Sequence, residues 1–359
     1  MNLSTTTAAS VEIRYYNSDG SLAASETAQI APSSSLLRDT RGGPNPTPAQ
    51  LPKGFNGSVE VVSDQPIVGS SNILQSNNAA DGYNGFSQTE VSKNVLLPLI
   101  YGYGNPDLWH TNFTVQNAND TAASITMTYA DGITGQVVDT VTDTVPAHGS
   151  RSYDQSTLSF FFGSVSITSD QSVAAVVNQV SPDVLITYPG FDKNTEPGVT
   201  VHLPLLYKGS HWNTSIQVQN IDPSKPATVT IEVTDQKTGA KYSSTQTVST
   251  SKSYDFRGTS DATTGGLNVP AGFMGSGVVT STQPVVAVVN QMLNFPDQPL
   301  DKIFKAMCYK GVAQNASKKT LIPLLYRQNP WGCSFQVKNM GSSPAKVTVV
   351  AKDQYTGME

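Results

Sequence analysis

Hydrophobic and polar residues alternate along most of this chain with a period of two. Thr214–Gln219 sends Ile216 and Val218 to one side and Gln217 and Gln219 to the other, the pattern of a strand with one wet face. Ala227–Thr234 repeats the pattern with Val229, Ile231 and Val233 inward. Lys237-Thr238-Gly239 then supplies a hairpin turn, and Tyr242–Val248 reads as the return strand. Ser253–Asp255 predicts a short strand or corner, and Gly275–Ser281 a further strand. Pro284–Gln291 departs from the alternation, because Val285, Val286, Ala287, Val288 and Val289 are apolar without a break, as in a central strand. Val201–Tyr207 predicts a strand whose Pro204 confines it to an edge or a bulge.

The same elements recur along the chain. LPLIY at Leu97–Tyr101, LPLLY at Leu203–Tyr207 and IPLLY at Ile322–Tyr326 each precede a tryptophan, and Trp109, Trp212 and Trp331 are the only three. A V-x-N strand follows each one, ending at Asn117, Asn220 and Asn339, and the match of NLSTTTAASV from Asn2 with NANDTAASI from Asn117 makes Asn2 a fourth equivalent position. The second half of the unit also repeats, as Phe55-Asn-Gly-Ser-Val59, Phe162-Gly-Ser-Val165 and Phe273-Met-Gly-Ser-Gly277, each running into a strand such as VAAVVNQ or VVAVVNQ. A period of roughly a hundred residues is too long for a solenoid turn and suits a string of small domains. About seven short strands per unit, with turn signals between them, read as an immunoglobulin-like sandwich. The expected fold class is therefore all-β, in tandem immunoglobulin-like β-sandwich domains, two complete and two partial. Residues 1–90 form a partial sandwich lacking its first two strands, 91–195 and 196–308 form complete ones, and 309–359 form a partial one supplying first strands. The first partial unit holds strands at Val11–Tyr16, Leu22–Ile30, Ser58–Val62 and Ile67–Leu74, the last at Leu321–Tyr326, Gly332–Lys338 and Lys346–Lys352. Ser76–Asn94, Ser181–Thr200 and Leu293–Lys319 read as polar linkers.

Composition narrows the class. Charged residues make up 14% of the chain and the net charge is −5, without a basic stripe, which argues against a nucleic-acid partner. No apolar run reaches the roughly 18 residues needed to span a bilayer, so no membrane span is expected. MNLSTTTAAS has no apolar signal-peptide core. The two cysteines, Cys308 and Cys333, are compatible with a disulfide clipping a linker to the last unit, and equally with free thiols.

Candidate chemistry is sparse. One tryptophan per unit at one position favours a core anchor over a sugar-stacking platform. Asp154 and Asp255 follow Tyr153 and Tyr254, but no second acid repeats with them, so turn capping is the better reading. His110, His148, His202 and His211 share no repeat slot, and no nucleophile elbow or zinc motif occurs. Asp183 and Asp297 sit at junctions where calcium could stiffen an array, with too few oxygens nearby to hold it. Asn178 and Asn290 have no repeated lysine with which to form an isopeptide bond. Asn112 and Asn213 lie in aligned glycosylation triplets. No catalytic, metal or cofactor site is expected, and an enzyme is the least favoured class.

LPLxY, the single Trp, V-Q-N, GFxGS and QPVVAVVNQ together resemble the tandem immunoglobulin-like domains of prokaryotic surface and filament proteins. The resemblance is architectural and implies an extracellular or cell-surface scaffold. An open sheet edge is an association site, and a head-to-tail contact that does not close makes a filament. The expected donor anchors are Leu324, Trp331, Phe335 and Val337. The expected acceptor anchors are Ile13, Tyr15, Phe55, Val59, Val61 and Ile67. The partners implied are copies of the chain itself. Two alternatives share this scaffold: a fragment of a longer covalent array, and an adhesin or carbohydrate-binding module that meets surface glycans through loops such as Gly42–Pro52.

Overall fold

A computed structural model describes residues 1–40, 51–74, 80–104, 109–132, 134–209, 211–222, 224–255, 264–293, 305–313, 317–322, 327–328, 331–332 and 334–351. The described residues are all-β, with no helix among them.

The N-terminal region contains β1 (Ala9–Asn17), β2 (Leu22–Ile30), β3 (Gly57–Ser63), β4 (Ser70–Leu74) and β5 (Ala80–Asn84). The first three form a sheet in the order β2-β1-β3, while β4 and β5 pair only with each other. Ala9, Val11, Ile13 and Tyr15 alternate inward from β1 and pack with Ile30, Leu36, Leu51, Phe55 and Ile67.

The second region is an eight-stranded sheet of β6 (Ser92–Gly102), β7 (His110–Asn117), β8 (Ala123–Asp131), β9 (Val137–Val145), β10 (Ser150–Asp154), β11 (Phe161–Val180), β12 (Leu185–Pro189) and β13 (Phe191–Asp192). The third has β14 (Gly198–Lys208), β15 (Trp212–Asn220), β16 (Ala227–Asp235), β17 (Lys241–Val248), β18 (Ser251–Asp255), β19 (Thr264–Gly266), β20 (Phe273–Leu293) and β21 (Lys305–Lys310). Two short strands, β22 (Arg327–Gln328) and β23 (Trp331–Gly332), complete the set.

Three expectations are corrected. The two strands expected at Gly275–Ser281 and Pro284–Gln291 are one strand, β20, and β11 is its counterpart. The first half of β20 pairs with β14 and β16, the second half with β15 and β21. Ser281-Thr282-Gln283 bends the chain without ending the strand, so one element changes partners midway. Second, each expected linker contains a strand: β5, β12 and β21 all pair with the second half of the repeat. Third, residues 334–351 form no strand, although Gly332–Lys338 and Lys346–Lys352 were expected to. Their alternation is present, but among the described residues no neighbouring strand offers a ladder.

The unbroken apolar run of β20 has a specific cause. Val285, Ala287 and Val289 face the third region's core, whereas Val286 and Val288 join the core of the second. The same joint carries reciprocal hydrogen bonds between the buried amides of Gln179 and Asn290. Lys310 pairs with Glu196 and lies 4.1 Å above the Phe191 ring. The N-terminal region docks through the β1–β2 turn, where Tyr16 stacks on His148 with ring centroids 5.0 Å apart and Ser150 N–H donates to Ser18 O.

Three of the four equivalent asparagines are buried braces. Asn117 Nδ2 donates to Thr121, Val145 and Pro146 carbonyls, and Asn2 and Asn220 repeat the arrangement with Ile30 and Val248. Asn339 keeps only the local part, to Ser343 O and from Gly341 N–H.

Candidate functional site

The site emerges from three structural copies of one slot, two of them filled. In the second region the first half of β11 lies between β8 and β6: Ile167 is opposite Met127 on one side and Val95 on the other. In the third region Val279 is opposite Ile231 and Val201. In the N-terminal region Val61 is opposite Ile13 on β1, and the outer edge of β3 has no partner among the described residues. Exposure follows: Val165, Ile167 and Val279 are 0–1% exposed, whereas Val59 is 48% and Val61 43% exposed.

The strand that fills the slot carries L-P-L, and its proline sets a local problem. Proline has no N–H, and the β6–β11 register slips between Leu97 and Ile100, leaving the Leu99 backbone outside the ladder. The Tyr188 hydroxyl solves it by donating to Leu99 O at 2.7 Å and accepting from Leu99 N–H at 3.1 Å. In the third region the register slips between Leu203 and Leu206, and the Tyr309 hydroxyl donates to Leu205 O and accepts from Leu205 N–H. Tyr83 stands at the same point on β5, since Tyr83, Tyr188 and Tyr309 lie opposite Ser71, Val177 and Val289 in the matching ladders. Its hydroxyl makes no hydrogen bond to the described residues.

A glycine two residues later completes the slot. Gly190 N–H donates to Ala175 O, Gly311 N–H to Ala287 O, and Gly85 N–H to Gly69 O, at 2.8–2.9 Å. A Cβ on Gly190 would come within 2.5 Å of Val95 and 3.0 Å of Leu97, and one on Gly311 within 2.6 Å of Val201 and 3.0 Å of Leu203. A Cβ on Gly85 would meet only the Gly69 backbone, at 3.6 Å. The repeated Y-x-G was visible in the sequence as Tyr83-Asn84-Gly85, Tyr188-Pro189-Gly190 and Tyr309-Lys310-Gly311, but loops of unequal length before it concealed the alignment.

Of the expected acceptor residues, Val59 and Val61 lie on this open edge. Ile13 and Tyr15 are buried in the core beneath it, and Phe55 and Ile67 pack around that core. Of the expected donors, Phe335 and Val337 are 43% and 56% exposed, although their counterparts Phe113, Val115, Ile216 and Val218 are fully buried. Val347, Val349 and Val350 are exposed as well. Trp331 belongs to β23, and Leu324 lies outside the described residues.

The other candidates are placed as follows. Cys308 is a free thiol on β21 opposite Asn290, and Cys333 lies outside the described residues. Asn112 sits on β7 and accepts from Asn178, while Asn213 sits half-buried on β15. Trp109 is buried in the second core, and Trp212 meets Tyr207 edge to face. Asp154 accepts from Ser156 N–H and Oγ–H, a turn-capping role. No cluster of three metal-ligating side chains occurs among the described residues, and no helix there is long and apolar enough to cross a membrane. Asp81 on β5 accepts from Thr187 N–H of β12, and burial pushes its carboxyl up to about 6.

No family model matches the chain, and no curated protein matches it. Among solved structures, the crystal structure of Thermotoga maritima 1070 is similar over 28% of this chain and 95% of its own, at 16% identity and a TM-score of 0.22.

Proposed function

We propose that this chain is a structural subunit of an extracellular filament or surface appendage. Neighbouring copies assemble head to tail, each completing an immunoglobulin-like β-sandwich split between them. On this reading residues 1–90 are an incomplete sandwich, 91–195 and 196–308 complete ones, and 309–359 the donor of first strands. The observation that carries it is the contrast at one strand position: Val59 and Val61 are half-exposed where Val165, Ile167 and Val279 are sealed by a neighbour. Ile322, Phe335 and Val337 of the C-terminal segment are exposed, whereas their counterparts Leu97, Phe113 and Val115 in the second region and Leu203, Ile216 and Val218 in the third are buried, which supports that segment as the complement. Strand addition supplies main-chain hydrogen bonds for affinity and alternate side chains for register. Electron microscopy with intact-mass measurement tests this: rods built of 38.1 kDa chains are expected, and monodisperse single particles at all concentrations would overturn it.

A second reading, an adhesin that binds glycans, is favoured by one observation. Phe160 is 67% exposed and packs 5.6 Å from Tyr103, itself exposed, with Tyr101 behind it. Two wet, adjacent aromatic rings at one end of a rigid sheet suit the apolar face of a sugar. Polysaccharide affinity electrophoresis of the protein and of Phe160→Ala tests it: retardation lost in the variant is expected, and equal mobility removes the reading.

A further inference from the structure

By the register equivalence above, the N-terminal copy presents three features of the slot: a β3 edge with no partner among the described residues, a Tyr83 hydroxyl with no hydrogen bond to them, and a Gly85 whose added Cβ would meet only the Gly69 backbone. In both filled slots the occupant is a V-x-L-P-L-x-Y strand, Val95–Tyr101 in one and Val201–Tyr207 in the other, and Thr320–Tyr326 keeps the pattern with Thr for Val and Ile for Leu. We infer that Tyr83 and Gly85 are the receptor for Thr320–Tyr326 of a second copy of this chain. The inference rests on the strand-exchange reading and specifies its lock.

The register follows from the filled copies. Val165 faces Leu97 and Ile167 faces Val95, so Val59 faces Ile322 and Val61 faces Thr320 of the incoming strand. Gly163 faces Ile100, so Gly57 faces Leu325. Thr320 and Ile322 cover Gly85 as Val95 and Leu97 cover Gly190. Pro323 lacks an N–H as Pro98 does, so the docked strand would slip at the same point, and the Leu324 N–H and C=O released from its ladder would meet the Tyr83 hydroxyl. Ile322 is exposed in its own chain, as a donor residue must be. The Tyr83 hydroxyl thus reads the proline-induced slip, because only a strand with backbone groups displaced from the ladder at that point presents both a donor and an acceptor to it. A plain alternating strand does not, and this selects the first-strand segment over the many other alternating segments of the chain.

Photo-crosslinking tests the inference. The full chain carries p-benzoylphenylalanine in place of Val61, and equal amounts of ¹⁴N- and ¹⁵N-labelled protein are mixed, irradiated and digested. Crosslinks between position 61 of one isotope and residues 320–326 of the other are expected. Tyr83→Phe keeps the ring and is expected to lower their yield about tenfold, corresponding to about 1.4 kcal/mol for a buried pair of backbone groups left unsatisfied. Gly85→Leu, which fills the shelf, is expected to abolish them. Crosslinks to any other segment, crosslinks within one isotope only, or yields unchanged in both variants overturn the inference. The two proposals fail separately: rods with crosslinks elsewhere keep the filament and sink this lock, whereas heavy–light crosslinked dimers without rods keep the lock and sink the filament.

Discussion

β3 and the first half of β11 meet equivalent inner neighbours, β1 and β8, in the same register, Val61 opposite Ile13 and Ile167 opposite Met127, yet one side chain is 43% exposed and the other 1%. The difference lies in the strand on the far side, supplied by β6 in one region and by nothing described in the other. An apolar strand position is therefore half a statement about burial; the second neighbour completes it. Stability should follow that neighbour.

Four measurements on the dilute, unassembled chain break or sharpen the comparison. The largest contrast is in the core: Ile167→Ala is expected to cost about 2–5 kcal/mol in chemical denaturation, and Val61→Ala no more than about 0.5. Equal costs would mean that the N-terminal edge is sealed in solution. Next, Gly190→Ala drives a methyl into Val95 and Leu97 and should cost about 1–3 kcal/mol, while Gly85→Ala should be neutral or slightly stabilising, since nothing but the Gly69 backbone lies near. Tyr188→Phe strips both partners from the Leu99 backbone and should cost about 1–2 kcal/mol, while Tyr83→Phe should leave the melting temperature of the dilute chain unchanged.

The smallest effect is pH-dependent and concerns the contact of β5 with β12. The Asp81 carboxyl titrates at about 6 in the folded chain, above its ordinary 3.8, because burial disfavours the charge. The folded state then binds the proton more tightly than the unfolded one. Its contribution is fully present below about pH 4 and is lost as pH rises through 6. Hydrogen exchange at the Thr187 amide should accelerate across that window beyond the intrinsic pH trend, and Asp81→Asn should flatten the excess.

Most of the sheet architecture is legible in the residues. Alternation places β15, β16 and β17 within one or two residues. The wet face expected of β15 is not wet: Gln217 and Gln219 are as buried as Ile216 and Val218, and Gln219 donates to Ser166 of the second region. Three further things escape the alternation. Ser281-Thr282-Gln283 has the composition of a turn, yet the strand continues, because the two halves of β20 serve different partners and only a bend is needed. β5, β12 and β21 differ in all but Tyr-x-Gly, because their side chains meet different surroundings while only the tyrosine and glycine repeat a task. The V-K-N segment at Val337–Asn339 has the right pattern and no ladder, since pattern selects a face and pairing alone makes a strand. Val59 and Val61 were legible as members of the site, but Tyr83 and Gly85 were not. Their role depends on what is absent beside them, and that becomes visible only when three slots are compared.

Alternate residues of β20 belong to two adjoining hydrophobic interiors. Neither interior can lose that strand without opening the other, so the two central regions should melt in one calorimetric transition and resist flexing at their junction. A tensile load passed along such a chain would be borne by a single shared keel.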